Sequence, residues 1–254
     1  MTGRSRSVAN PGANAGANAG GAAVFSGVVF SAAVFSAVVF YAAFAAIHVI
    51  ARFLEHPLDA PTKLLLMPAL AVGVVWASAG IRPRRLGVMA LLLAAILFSW
   101  LGDGAATFFP MFEDELPMML LCFGLAHVGY VLLMWRGRGI PRRKFPVWAL
   151  IYAVAYAGLM VVLIPRAGGL AVPVAIYGLL LAGTAAMASR CGPVIAWGGF
   201  WFLVSDAILA FRIFVPEAMP AWTSGAVMLT YTLGQGLIAF GIVAATRRGA
   251  LAGS

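Results

Sequence analysis

Asp103, His127 and Asp206 are ionisable residues placed inside apolar runs of a chain that is 63% hydrophobic and only 10% charged. An ionised side chain in hydrocarbon costs at least ~2.5–3.5 kcal/mol on insertion, so such residues are candidates for chemistry. Asp103 closes the run Phe98-Ser99-Trp100-Leu101-Gly102-Asp103, and Asp206 lies in Trp201-Phe202-Leu203-Val204-Ser205-Asp206. Two carboxyls withdrawn from water can divide acid–base work, one neutral and able to donate a proton, the other ionised and able to stabilise positive charge. A histidine beside them can position water or relay a proton. His127 and Tyr130, three apart, share one helix face, and Tyr231 and Gln235, four apart, share another. Each pair suits interhelical hydrogen bonding as well as contact with a substrate. Lys63 stands at the start of an apolar run, where a lysine either anchors a helix at the membrane boundary or binds an anion there. His48 is embedded but has no ionisable neighbour in its run, and reads as an interhelical hydrogen-bonding residue.

The elements that must carry these residues are transmembrane helices. A span needs ~20 apolar residues, and eight runs qualify: about 22–50, 63–79, 86–101, 116–135, 147–164, 170–188, 194–214 and 222–246. The fold class is therefore an all-α, polytopic membrane bundle. Residues 1–21, with Arg4, Arg6 and an Asn/Gly/Ala tract, read as a disordered tail, and 247–254 as a short second tail. The first apolar run is too long for the core of a signal peptide. So little polar surface excludes a soluble enzyme. The net charge of +9 would suggest nucleic acid in a soluble protein. Here the basic residues fall between apolar runs, so no nucleic-acid partner is expected. Cys122 and Cys191 show no disulfide or zinc spacing.

Alternate connections differ sharply in Lys and Arg. With the N-terminus inside, inner segments hold 13 and outer segments 4, which expects both termini in the cytoplasm. Glu55, Asp59, Glu113, Asp114, Glu115 and Glu217 fall at the outer side and read as solvated. Asp206 follows Asp103 by 103 residues, four spans later, with an aromatic five before each and a Phe five after each. That offset suggests a four-plus-four parallel repeat.

The motifs Ser99-x-x-Gly102-Asp103, Phe123-Gly124-Leu125-Ala126-His127-x-x-Tyr130, Phe202-Leu203-x-Ser205-Asp206-x-x-Leu209-Ala210 and Tyr231-x-x-x-Gln235, with Thr62-Lys63 and Pro68 ahead of them, occur in one order along the chain. In that order the chain resembles the YhhN-like lysoplasmalogenase family. It differs in having Leu64 directly after the lysine and Gly104-Ala105-Ala106-Thr107 after the first aspartate.

The resemblance implies a multi-pass protein of a bacterial inner membrane that hydrolyses the vinyl ether of lysoplasmalogens to a fatty aldehyde and a glycerophospho-alcohol. Protonation of the vinyl β-carbon gives an oxocarbenium ion, which water captures; the hemiacetal then collapses. This chemistry parallels that of paired-carboxylate glycosidases. It gives Asp103, Asp206 and His127 catalytic roles, and makes Lys63, Ser99, Tyr130, Ser205, Tyr231 and Gln235 candidates for substrate binding. No cofactor or metal is expected; the partners are a lysophospholipid and the bilayer.

Two other classes compete. A proton-coupled transporter would also use embedded acids and a repeat. A retinal photoreceptor needs a lysine inside a late span, whereas the chain's only lysines, Lys63 and Lys144, both lie at span boundaries.

Overall fold

The computed structural model describes residues 12–79, 81 and 85–251, with side chains from Ala32 to Gly249. Arg4, Arg6, Arg82 and Arg84, which enter the charge count, lie outside the described residues, as do residues 1–11 and 252–254 of the two expected tails. The described chain is helical. In order it forms α1 (Gly12–Phe53), α2 (Asp59–Ser78), α3 (Leu86–Asp103), a one-turn α4 (Ala105–Phe108), α5 (Leu116–Arg136), α6 (Ile151–Leu163), α7 (Ala171–Ala188), α8 (Pro193–Phe214) and α9 (Thr223–Leu251), with short 3₁₀ turns between some of them. Eight helices are long and apolar enough to cross a membrane, and α4 is not one of them.

The boundaries depart from the sequence expectation for identifiable reasons. Helix α1 begins at Gly12, within the stretch expected to be disordered. Alanine is the best helix former and the tract runs directly into an apolar helix, so the helix extends backwards through it. Helix α9 likewise continues past Thr246 to Leu251. Helix α2 starts at Asp59, one turn before Lys63, which places the lysine inside a helix rather than ahead of it. Helix α3 ends at Asp103 itself, and Gly104 hinges it to α4. Glu55, just beyond α1, adopts φ 51°, a left-handed conformation normally given to glycine.

The helices pair as α1 with α2, α3 with α5, α6 with α7 and α8 with α9; α2 packs on α3 and α7 on α8. Sequential helices thus pair in the same way in both halves, while α5 also packs on α7 and α1 on α9. The α8–α9 contact is the tightest. Cβ atoms built on Gly198 and Gly234 would sit 2.7 Å from the backbone nitrogens of Ile238 and Phe202, so glycine at both positions lets the two backbones touch. Helix α9 is central: Ile238, Ala239, Ile242 and Val243 are fully buried.

The basic connections gather at one end of the bundle. Arg85 donates to the carbonyls of Thr246 and Gly249, and Arg190 donates to the carbonyl of Arg143. The acidic connections lie at the other end, where Arg52 pairs with Asp59. His48 makes the interhelical bond expected of it, 2.9 Å from the hydroxyl of Thr62 on α2.

Candidate functional site

Asp103 is the last residue of α3, and its surroundings explain why glycines flank it. A side chain at Gly102 would enter the ring of Phe123 on α5, while one at Gly104 would meet Leu64 of α2 at 2.9 Å. Trp100 donates from Nε1 to the carbonyl of Leu64 at 2.9 Å, pinning the first turn of α2 to the last turn of α3. Lys63 is thereby held within electrostatic reach of Asp103.

From α9, the Tyr231 hydroxyl donates to Asp103 Oδ2 at 2.7 Å. One turn deeper lies Gln235, fully buried. Its Nε2 donates to Ser99 Oγ at 2.9 Å and to the Tyr231 hydroxyl at 3.3 Å, and its Oε1 accepts from the Tyr130 hydroxyl at 2.5 Å. One amide thus joins α3, α5 and α9. Buried in a bundle facing lipid, these polar groups must satisfy one another.

Asp206 is buried on α8 and accepts a hydrogen bond from the Tyr177 hydroxyl of α7. His127 on α5 completes a second cluster, with Nε2 3.4 Å from the Tyr177 hydroxyl and 3.8 Å from Asp206 Oδ2. Its Nδ1 lies 3.0 Å from Thr184 Oγ1, and that hydroxyl donates its only proton to the carbonyl of Leu180 at 2.9 Å. Thr184 must therefore accept from His127 Nδ1–H, which fixes the neutral tautomer. The Nε2 lone pair then faces Tyr177 and Asp206, where it can accept a proton from water.

Phe202 separates and supports the two clusters. It is one turn before Asp206, fully buried, and its ring centre lies 4.7 Å from that of His127 and 5.6 Å from that of Tyr231. Its ring thereby contacts a partner of each carboxyl. The two carboxyls therefore belong to one region, each with its own tyrosine donor. Among the described residues, no three His, Cys, Asp or Glu side chains form a metal-ligating group.

Eight of the nine residues singled out in the sequence sit in or beside these clusters. The exception is Ser205. Its hydroxyl donates to the carbonyl of Val227 at 3.1 Å and ties α8 to α9 instead of facing the site. Adjacent residues on a helix point about 100° apart, so Ser205 turns away when Asp206 turns inward. Tyr177 and Thr184 were missed. They are seven apart, hence on one face of α7, but a lone tyrosine and threonine in an apolar span carry no more signal than ordinary helix-packing residues.

A narrow cleft of about 60 Å³ reaches this region, lined by Phe123, Leu159, Tyr177, Leu181, Asp206 and Phe214. That is room for a few water molecules at ~10–15 Å³ each. A larger cavity, about 1120 Å³, lies elsewhere, between α1, α9 and the start of α8, and contains neither carboxyl.

Residues 58–242 match the model of the YhhN family. The chain belongs to the YhhN family. No curated protein and no solved structure matches it. The matched segment begins just before Asp59 and includes both carboxyl clusters, so the YhhN region contains the whole candidate site, while all of α1 falls outside it.

Proposed function

We propose that this YhhN protein is a membrane-embedded ether hydrolase that cleaves the vinyl ether of a lysoplasmalogen. The observation that carries this reading is the pair of embedded carboxyls, each with a tyrosine hydroxyl donating to it and the second also facing a histidine whose tautomer is fixed. Vinyl ether hydrolysis requires those parts. One carboxyl donates its proton to the β-carbon while the C=C π-bond breaks. The ether oxygen then shares the positive charge of the oxocarbenium ion, and the other carboxylate stabilises it. His127 Nε2 takes a proton from the water that adds to the α-carbon, and the hemiacetal collapses to aldehyde and alcohol. The imidazolium then returns its proton to the carboxylate that acted as the acid, so the sum is one water consumed and no net change in protonation. In this reading Lys63, one turn into α2 and partly exposed, holds the lipid phosphate at the membrane boundary.

The test is aldehyde release from a lysoplasmalogen by the purified protein and by Asp103→Asn and Asp206→Asn. Loss of at least ~10²-fold in both is the expected result for general acid and electrostatic roles; near wild-type turnover in both sinks the paired-carboxyl mechanism. The repeating helix-pairing pattern favours one second reading, a proton-coupled transporter. It predicts proton-linked flux of an unaltered solute in liposomes and no aldehyde.

A further inference from the structure

The 1120 Å³ cavity is a groove on the lipid-facing side of the bundle, remote from both carboxyls. One wall is α1 from Val38 to Ile50; its floor is α9 from Leu229 to Gly249. Those twenty-one residues of α9 span twenty steps and rise about 30 Å at 1.5 Å per step, the thickness of the hydrocarbon core. The volume exceeds the ~300–1,000 Å³ of ordinary small-ligand pockets. Its lining is apolar apart from Tyr41 and Thr232 part-way along, and basic at one end, where Arg143, Arg190 and Arg248 lie.

These arginines come from three separate segments: the α5–α6 connection, the α7–α8 turn and the end of α9. Topogenic arginines need only lie on the correct side of the membrane; nothing in that role brings three of them to the rim of one groove. Local structure does so. Arg143 N donates to the carbonyl of Arg190 at 3.0 Å, and Arg190 Nε returns a bond to the carbonyl of Arg143 at 2.7 Å. Arg190 also lies over the ring of Phe145, at 4.3 Å from its centre. Among the described residues, no carboxylate lies within salt-bridge distance of any of the three.

We infer that the groove binds an anionic phospholipid. Its phosphate lies among Arg143, Arg190 and Arg248, and its acyl chains lie along α9 against α1. The charge at the rim selects the headgroup and the apolar length takes the chains. The basic end is the one expected in the cytoplasmic leaflet, where anionic lipids concentrate. The lipid fills the space between α1 and α8 and holds α1 to the bundle. This site is distinct from the proposed hydrolytic one, since its polar end is at the opposite end of the molecule from Asp103.

The experiment reconstitutes the full chain in nanodiscs of equal phosphatidylglycerol and phosphatidylcholine, then measures by native mass spectrometry the lipids retained after mild detergent release. The expected result is retention of phosphatidylglycerol over phosphatidylcholine. Arg143→Gln combined with Arg248→Gln should lower that preference about thirty-fold, as befits two basic side chains near an anionic surface. Neither guanidinium is used in a structural bond described here, so the fold should survive. Ala245→Trp, which fills the groove near its rim, should displace either lipid. Asp103→Asn should leave retention unchanged. Equal retention of the two lipids by the wild type, or undiminished preference in the double variant, overturns the proposal. So does a lipid-free dimer whose contact covers this groove.

Discussion

Replacing Gln235 by leucine probes whether one buried amide organises three helices. The residue makes three hydrogen bonds, and their directions determine what is lost. The Tyr231 hydroxyl still has Asp103 as its acceptor, and Ser99 keeps its own proton. Tyr130 loses its acceptor outright. A buried donor left unpaired costs roughly 1–3 kcal/mol. Ser99 is within hydrogen-bonding reach of Tyr130 as a fallback, which puts the expected cost at about 1–2 kcal/mol. For a chain of this size that corresponds to a fall in Tm of roughly 2–8 °C. The decisive comparison is the cycle with Tyr130→Phe. Deleting both partners removes the orphan, so the double variant should be more stable than Gln235→Leu alone, with a coupling of about 1 kcal/mol. Thermal unfolding of the four proteins in one detergent reads it. If Tyr130→Phe lowers Tm as much in the Gln235→Leu background as in the wild type, the amide is not satisfying that hydroxyl and the network reasoning fails.

Four further outcomes follow from the same structure. Tyr177→Phe removes the donor to Asp206 while keeping the ring, and should cost about 10- to 100-fold in turnover with little change in Tm, the value of a hydrogen bond to a charged group; unchanged aldehyde release would remove Tyr177 from the site. Gly234→Val drives a side chain into the backbone of Phe202 and should destabilise by at least the ~1–3 kcal/mol of overpacking, whereas Gly183→Ala, with nothing within 4 Å, should fold normally; equal expression and Tm for both would contradict the tight α8–α9 contact. Glu55→Gly relieves a left-handed residue and should stabilise by about 1 kcal/mol in thermal unfolding. Burial pushes the Cys191 thiol up to about 11, so it is neutral at pH 7, with roughly one thiolate in 10⁴. Maleimide labelling of the folded protein should therefore be slow at neutral pH and rise as pH approaches 11; rapid labelling at pH 7 would refute the buried placement.

The eight spans were legible because an apolar run of sufficient length has only one use in a chain with so little charge. The ends were less legible. Helix α2 begins a turn early because Asp59, which reads as a solvated loop acid, instead opens the helix and pairs with Arg52. The site was largely legible for the opposite reason: Asp103, His127 and Asp206 are costly where they stand. Tyr177 and Thr184 escaped notice because a hydroxyl in a membrane helix is cheap when it can bond its own backbone, as Thr184 does to Leu180. Ser205 was over-read because its neighbour Asp206 lent it significance that helix geometry denies.

The spacing of the site partners bears on the repeat. Asp206 follows Asp103 by 103 residues, and Tyr231 follows His127 by 104. Tyr231 donates to Asp103, and His127 faces Asp206. In spans, Asp103 of the third is served from the eighth, and Asp206 of the seventh is served from the fourth. A parallel duplication would relate the third span to the seventh and the fourth to the eighth; the offsets of 103 and 104 then match the two facings to within one residue. Asp103 takes its tyrosine donor from the other half of the chain, whereas Asp206 takes Tyr177 from its own half and faces His127 of the other. The corresponding positions differ: a tyrosine hydroxyl donates to a carboxylate, whereas an imidazole can also accept a proton. A symmetric ancestor would offer two like carboxyl sites, but general acid catalysis needs two unlike ones. Under the proposed hydrolase reading, tyrosine at one of these corresponding positions and histidine at the other, together with Lys63 on the Asp103 side, would supply that asymmetry.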